Sequence, residues 1–248
     1  KEGLRDQFAK DAQWWMNTPS WLITPPTDCD LDYLHTFMMP RFFAALISTS
    51  PAERVAWMNA FTIYHNAALG LNTHDVADGY KSDGSAFHHY RHYPAYALSG
   101  INHVGELYQL LKETPFAMDE QAIDNVRRAA LRLHATTLPD GPPISLSGRH
   151  PFKYPTAKKT FAEAVELLEA KPLEQSSFWE MPFAGMAVQR RPGWFVLMHG
   201  YSEYLPSSES WIVANRYGHF NKHGSVEIML DKGLEASGYK HPGWDWRK

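Results

Sequence analysis

The sequence predicts an α+β protein in which a helical region is followed by an antiparallel sheet region. Apolar residues recur at helical spacing from the start to about residue 170. Short β-rich runs separated by Pro, Gly and Ser follow Lys171-Pro172. Helices and strands do not alternate, as they would in a parallel sheet protein. We therefore expect a helical domain over residues 1–172 and a separate sheet domain over residues 173–248.

Five helices are expected in the first region. Pro51 and Pro94 each stand where a helix should begin, because proline is favoured in the first helical turn. The expected spans are about 31–47, Pro51–Leu69, Pro94–Lys112, Asp119–Thr136 and Thr156–Ala170.

Three strands are expected in the second region, and two long polar loops interrupt the first. The strands are Gly185–Arg190, Trp194–His199 and Ser225–Leu230. The loops are Gly70–Tyr93 and Leu138–Tyr154. Loops of this length inside compact domains tend to be functional or disordered, so these two loops are candidate locations of functional residues.

Composition and charge disfavour nucleic-acid binding and exclude an intrachain disulfide and a membrane span. The formal charge of −3 disfavours bulk binding to nucleic acid, so an acidic ligand would have to meet a local cluster of Arg, Lys and His. Cys29 is the single cysteine, which excludes a disulfide within the chain. No apolar run is long enough for a membrane span. The 9 Trp, 12 Tyr and 13 Phe residues suit stacking on sugar rings as well as core packing.

The densest chemical cluster is Phe87–Tyr96, which crowds imidazoles, phenols and a guanidinium together. It could bind an acidic sugar, form an ordinary polar loop, or bind zinc through His88 and His92. Pro94 disfavours the helix on which that histidine pair would share a face. If Pro94 begins a helix, Tyr96 falls in its first turn, where the positive dipole end favours a phenolate.

Two further clusters carry charge. Arg149 follows Gly148 in the second loop and could grip a carboxylate bidentately, or simply be solvated. Glu209 could orient a catalytic side chain or pair with Arg216 at the surface.

Three alternating aspartates suggest a metal site. Asp28, Asp30 and Asp32 alternate as hard oxygen ligands for Ca²⁺ or Mg²⁺ might, although the Gly and distal Glu of an EF-hand are missing. Asp30 could instead cap the helix that begins near Leu31.

Taken in order, the cluster Phe87–Tyr96 and the clusters at Arg149 and Glu209 resemble polysaccharide lyase family 8, and within it the bacterial chondroitin sulfate ABC lyases. Asp83–Tyr96 is similar to the family's D-G-x-A-x-x-H-x-x-x-Y-P-x-Y segment, and Ser147–Phe152 contains its G-R-H-P-F loop. The remaining stations are S-S-E at Ser207–Glu209, N-R-Y-G at Asn215–Gly218, H-G at His223-Gly224 and G-W-D-W at Gly243–Trp246. The resemblance extends from about residue 79 to the end.

The resemblance implies a fold and an activity. The fold is an α/α toroid followed by antiparallel β-sandwich domains; because family members are longer at both ends, this chain would hold an incomplete toroid and the start of the sandwich. The activity is β-elimination at the uronic acid of chondroitin, dermatan sulfate and hyaluronan-type polysaccharides. The family's catalytic His, Tyr, Arg and Glu match His89, Tyr96, Arg149 and Glu209.

Further expectations follow from the resemblance and the residue types. Substrate-binding residues are expected at His88, Arg91, His92, His150, Asn215 and Arg216. The partner is an acidic polysaccharide, no cofactor is required, and the protein is a secreted or periplasmic monomer. The rival functions are a glycoside hydrolase, which would need two carboxylates flanking the bond, a non-catalytic glycosaminoglycan-binding fragment, and a metallohydrolase built on His88 and His92.

Overall fold

A computed structural model describes residues 2–16, 31–74, 76–148, 154–200, 202–205 and 224–239. Helices and antiparallel sheets within these residues confirm the α+β class. The helices are α1 (Glu2–Trp15), α2 (Met38–Leu46), α3 (Pro51–Ala68), α4 (Pro94–Leu111), α5 (Glu120–Ala135) and α6 (Ala157–Leu167). The strands are β1 (Gly79–Tyr80), β2 (Ala86–His88), β3 (Arg91–His92), β4 (Ser177–Met181), β5 (Met186–Arg191), β6 (Trp194–His199) and β7 (Val226–Leu230).

The five helices expected from the sequence are confirmed, and α1 adds one that was not delimited. Ser50 caps α3 because its hydroxyl accepts a hydrogen bond from the Glu53 backbone N–H at 3.4 Å. The π-helical turn Tyr33–Phe37 leads directly into α2. Pro40 has no N–H with which to continue an α-helical ladder, and the wider turn precedes it.

Helix α4 lies at the centre of the helical core. It packs against α6 and against the π-helical turn. Gly105 allows the close approach to α6, since a Cβ at this position would lie 2.8 Å from the Cβ of Leu167. The core around α4 is fully buried and includes Leu34, Ile101, Val104, Leu107, Val126, Leu133 and Phe161.

The described residues of the segment Gly70–Tyr93 contain regular structure in place of the polar loop that the sequence suggests. It contains the antiparallel sheet β1-β2-β3, and the side chains of Tyr80, Lys81 and Phe87 are completely buried. Strands of two or three residues are too short to display an alternating pattern, which is why the sequence did not reveal them. The Asp83 carboxylate accepts 2.9 Å hydrogen bonds from the backbone N–H groups of Ser85 and Phe183, which ties this segment to the strand-rich region.

The second sheet has the strand order β4-β5-β6-β7, with every pair antiparallel. The three strands expected from the sequence are confirmed, and β4 is additional. The buried face contacts residues of the helical region, and this second core contains Ala135, Leu138, Leu146, Trp179, Met181, Val188, Phe195, Leu197 and Met229. The division into domains at 172/173 stays a prediction. In the part of the chain that the structure describes, no helix is long and apolar enough to cross a membrane.

We expect Phe195→Ala to lower the free energy of unfolding by about 3 to 5 kcal/mol, because it opens a cavity in the second core. Phe195 of β6 is 0% exposed. Urea denaturation followed by tryptophan fluorescence measures the change. Phe178→Ala is the matched control, since Phe178 lies in the same sheet and is 54% exposed; it should change stability by about 0.5 kcal/mol or less. Equal losses for the two variants would contradict the assigned core.

Candidate active site

A strained two-residue hairpin turn presents His89. In the register of β2 and β3, Phe87 lies opposite His92 and His88 opposite Arg91, so His89 and Tyr90 form the turn. Both have left-handed backbones, with φ of 49° and 66°. Turns of this kind usually contain Asn-Gly, because other residues pay about 1 to 2 kcal/mol for such a backbone. Strain of this kind clusters at functional sites.

The side chains of His88, His89, Tyr93 and Tyr96 form a ring cluster at this turn. The His89 and Tyr96 ring centroids are 5.4 Å apart, and His88 lies 3.9 Å from His89 and 4.2 Å from Tyr96. Tyr93 meets the Tyr96 ring edge-on at 4.8 Å. His88 and Tyr93 are buried, while His89 and Tyr96 are half-buried, so these two are the members best able to reach a ligand.

Tyr96 lies in the first turn of α4, as the position of Pro94 predicts. The Tyr93 carbonyl accepts a hydrogen bond from the Tyr96 backbone N–H at 3.2 Å, which begins the helix. The Tyr93 N–H in turn donates to the Ala86 carbonyl of β2 at 2.8 Å. The hairpin and the helix start are therefore joined through one residue, and the positive end of the helix dipole lies beside the Tyr96 ring.

Two carboxylates face the buried His88 ring, one at each of its two nitrogens. Nδ1 is 3.1 Å from Oδ2 of Asp78, and Nε2 is 3.6 Å from Oδ1 of Asp32. The Asn72 side chain holds the Asp78 backbone by donating to its carbonyl at 3.0 Å. Hydrogen-bonded carboxylates commonly fix the orientation of a functional histidine. Asp78 and Asn72 were missed from the sequence, where neither belongs to a motif.

His92 is bonded within the hairpin. Its Nδ1 lies 3.1 Å from the Ala86 backbone nitrogen and 3.2 Å from the Ala86 carbonyl oxygen, and the side chain is buried. His88 and His92 lie on paired strands and not on a helix, in line with the expectation from Pro94. The assignment of His88, Arg91 and His92 as substrate-binding residues stays a prediction.

The turn before Arg149 contacts the ring cluster. It consists of the 3₁₀ helix Ile144–Leu146 followed by Ser147 and Gly148, which we call the 144–148 turn. Gly148 has φ of +65°, and a Cβ there would lie 2.5 Å from Cζ of Tyr93. The backbone therefore passes directly against the Tyr93 ring, and the structure brings the end of the 144–148 turn to the His89 and Tyr96 cluster.

Several predicted site residues lie outside the described residues. These are Asp28, Asp30, Arg149, His150, Glu209, Asn215 and Arg216. Among the residues that the structure describes, no group of three or more His, Cys, Asp or Glu side chains is arranged to hold a metal ion. Asp32, the described member of the predicted Ca²⁺ or Mg²⁺ group, contacts His88, and the metal site itself stays a prediction.

Comparison with known proteins gives a consistent picture. The family model described as "Lyase, catalytic" matches residues 1–167. The chondroitin sulfate ABC exolyase of Proteus vulgaris is 29% identical over 96% of this chain and 28% of that protein. The chondroitin sulfate ABC endolyase of Proteus vulgaris is 26% identical over 88% of this chain and 25% of that protein. The chain thus spans between a quarter and a third of the length of these two relatives.

A solved structure shares the fold. The chondroitin AC lyase of Streptomyces coelicolor A3, determined in complex with chondroitin sulphate, superposes with a TM-score of 0.60 at 13% sequence identity. The match covers 86% of this chain and 37% of that one.

We expect Gly148→Ala to destabilise the protein through two effects. The left-handed backbone costs an alanine about 1 to 2 kcal/mol, and the clash with Tyr93 adds about 1 to 3 kcal/mol. Gly193→Ala separates these effects, because Gly193 has φ of +85° and a Cβ there would meet no atom of the described residues within 4 Å. Unfolding free energies from urea titration measure both. Equal losses would contradict the contact between the 144–148 turn and Tyr93.

Replacing Tyr90 by Gly should raise the free energy of unfolding by about 1 kcal/mol, because glycine adopts the turn without strain. Tyr90 is 65% exposed, so little packing is lost. Tyr204→Gly is the control: Tyr204 is 77% exposed and has no positive φ, so the same change should lower stability by about 0.5 to 1 kcal/mol. Thermal unfolding of both variants tests the strain; a loss of stability in Tyr90→Gly would refute it.

Proposed function

The chain belongs to the catalytic lyase family, and from that premise we propose that it carries the active centre of a polysaccharide lyase that cleaves chondroitin-type glycosaminoglycans by β-elimination. The observation that carries the proposal is the ring cluster. In it, a strained hairpin turn brings the ring centroid of His89 to 5.4 Å from the ring centroid of Tyr96, which lies at a helix N-terminus. The chondroitin sulfate ABC lyases among the relatives support this substrate class.

Elimination at a uronic acid sets three requirements. The hydrogen on C5 is next to a carboxylate, and its removal places a second negative charge on that group. A cation or strong donor must therefore neutralise the carboxylate, a base must take the proton, and an acid must protonate the leaving oxygen.

Tyr96 is the proposed base and acid for glucuronate. As phenolate it takes the C5 proton, and the electrons of the C5–H bond form the C4=C5 double bond. The C4–O bond breaks, its electron pair goes to the leaving oxygen, and the Tyr96 hydroxyl returns the proton to that oxygen. The positive helix end beside Tyr96 supports the phenolate form.

His89 and Arg149 are the proposed partners of the carboxylate. Donors held in fixed positions are most effective as charge develops, and Arg can bind the carboxylate bidentately. In iduronate the C5–H points to the opposite face of the sugar, so a second base is required, and His89 is the candidate. Glu209 would hold Arg149 or Tyr96 in position without transferring protons.

Substrate contacts and setting complete the proposal. We propose that the polysaccharide is chondroitin or dermatan sulfate, with hyaluronan as a further substrate, and that a secreted or periplasmic monomer acts on it. The proposed binding residues are His88, Arg91, His92, His150, Asn215 and Arg216. The elimination as written uses protein groups alone; Ca²⁺ or Mg²⁺ at Asp28, Asp30 and Asp32 would serve to fix the chain before α2.

The same proposal covers the finer architecture. Helices α1 to α6 would be part of an α/α toroid, and β4 to β7 would begin an antiparallel β-sandwich. The fold shared with a chondroitin AC lyase supports this arrangement. The exposed apolar residues Phe178, Val226 and Ile228 on the outer sheet face are typical of a sheet that another layer covers.

We expect the full-length protein to release products from chondroitin sulfate that absorb in the ultraviolet, because elimination leaves a double bond conjugated with the carboxylate. Tyr96→Phe should lower this rate by about 10²- to 10⁴-fold, since it removes the base and acid. Tyr90→Phe in the same hairpin is the matched control and should retain the rate.

Three outcomes would contradict the proposal. Full turnover by Tyr96→Phe would refute the assignment of the base. New reducing ends without ultraviolet absorbance would identify a glycoside hydrolase. Binding of chondroitin oligosaccharides without any cleavage would identify a non-catalytic binding protein.

A further inference from the structure

A buried polar network joins the 144–148 turn to the second sheet. The Ser145 hydroxyl donates to Oε2 of Glu227 in β7, and the Tyr239 hydroxyl donates to Oε1 of the same carboxylate at 2.6 Å. Nε2 of His199, the last residue of β6, lies 2.9 Å from Oγ of Ser145. Ser145 and Glu227 are 82 residues apart in the chain, so the network is a tertiary contact between two regions.

The polar groups of the network are buried and hydrogen-bonded to one another. Ser145, His199 and Glu227 are 0%, 6% and 8% exposed, and a carboxylate so buried requires hydrogen-bond donors. Serine has one hydroxyl proton, which goes to Glu227, so the contact with His199 uses an N–H donated by Nε2. Burial and the neighbouring Glu227 raise the pKa of Tyr239 above its ordinary range, so its phenol keeps its proton and remains a donor.

The three residue types are those of a hydrolase triad, but the geometry is not. In a triad, one imidazole nitrogen faces the serine and the other faces the acid. Here Nε2 of His199 faces both, at 2.9 Å from Ser145 and 3.9 Å from Glu227. Ser145 is also completely buried, so no substrate can reach its hydroxyl. The network is therefore not itself a catalytic site. Its role is structural, and its relation to the chemistry of the protein lies at another site.

That relation is given by the position of the 144–148 turn. Ser145 faces the sheet, and Gly148 at the end of the same turn lies against the Tyr93 ring. The Ser147 hydroxyl donates to the Ile144 carbonyl at 2.7 Å, and Leu146 is buried in the second core. The turn is therefore fixed on one side by the sheet and on the other by the ring cluster, and Arg149 is the next residue in the sequence.

We propose that Glu227, with Ser145, His199 and Tyr239, is a positioning site that sets the 144–148 turn against Tyr93 and so fixes where the chain enters Arg149. The inference rests on the proposed lyase function. Glu227 does not touch substrate; it acts through the turn on the neutralisation of the uronate carboxylate. Displacement of a catalytic group by about 1 Å costs on the order of 10² in rate.

The test compares two substrates in the full-length protein. Glu227→Gln removes the charge at nearly constant volume, and Tyr239→Phe removes a single donor with less risk to folding. Each is assayed for kcat and KM on chondroitin and on chondroitin whose uronate carboxylates are methyl esters. The ester carries no charge to neutralise, so a defect in carboxylate neutralisation should matter less for it.

The matched control is Asp231→Asn. Asp231 accepts hydrogen bonds of 2.8 and 2.9 Å from the Arg190 guanidinium, and that guanidinium also donates to the Ala135 carbonyl at the end of α5. This pair also ties the second sheet to the helical region, and none of the three groups belongs to the 144–148 turn.

We expect Glu227→Gln to lower kcat on chondroitin by about 10²-fold with KM little changed. On the methyl ester, the same substitution should lower kcat by only about tenfold. Tyr239→Phe should show the same pattern with a smaller loss, and Asp231→Asn should not show it. Equal losses on both substrates, the same pattern in Asp231→Asn, or normal kcat in both network variants would overturn the inference. Absence of elimination by the unsubstituted protein would overturn the proposed function as well, which distinguishes the two failures.

Discussion

The contact between the Gly148 backbone and the Tyr93 ring is the constraint on which the arrangement of the site depends. Tyr93 pairs with Ala86 of β2, begins helix α4 through its carbonyl, and receives the 144–148 turn on its ring. Three separate segments therefore meet at one residue, two through its backbone and one through its side chain. Any residue with a Cβ at position 148 would push the turn away, so glycine is required here both for its left-handed backbone and for its lack of a side chain.

The strain at His89 is maintained by the fixed surroundings of the hairpin. Phe87 is completely buried on one side of the turn, and His92 on the other side is bonded to the backbone of Ala86. His88 is oriented by Asp78. These contacts fix both ends of the turn, and the cost of the left-handed backbone, about 1 to 2 kcal/mol for each turn residue, is offset by the burial around them. The result is a histidine fixed beside a tyrosine before any ligand binds.

The sequence predicted the parts of this protein that depend on local patterns. Helices α2 to α6 follow from apolar periodicity and from Pro51 and Pro94, and Tyr96 could be placed in a first turn by the same rule. The order of the motifs pointed to His89 and Tyr96, which the structure brings together. Contacts between distant residues left no such signal: Asp78 near His88, Gly148 against Tyr93, and Ser145 with Glu227 involve single residues with no shared period or spacing. Strands β1 to β3 are too short to show alternation.

The hydrogen bonds of the acids near the site bear on how a chain with a net charge of −3 would bind the acidic polymer that we propose as its substrate. Repulsion depends on the acids near the site more than on the total charge, because exposed charges are screened beyond about 10 Å. Asp78 faces His88, Asp83 accepts hydrogen bonds from backbone N–H groups, and Glu227 accepts them from two hydroxyls. Each of these carboxylates lies at a hydrogen-bonding group of the protein, and each of those contacts also fixes a segment near the site. The same carboxylates that would repel a polyanion are thus used to hold the histidine, the hairpin and the turn in place.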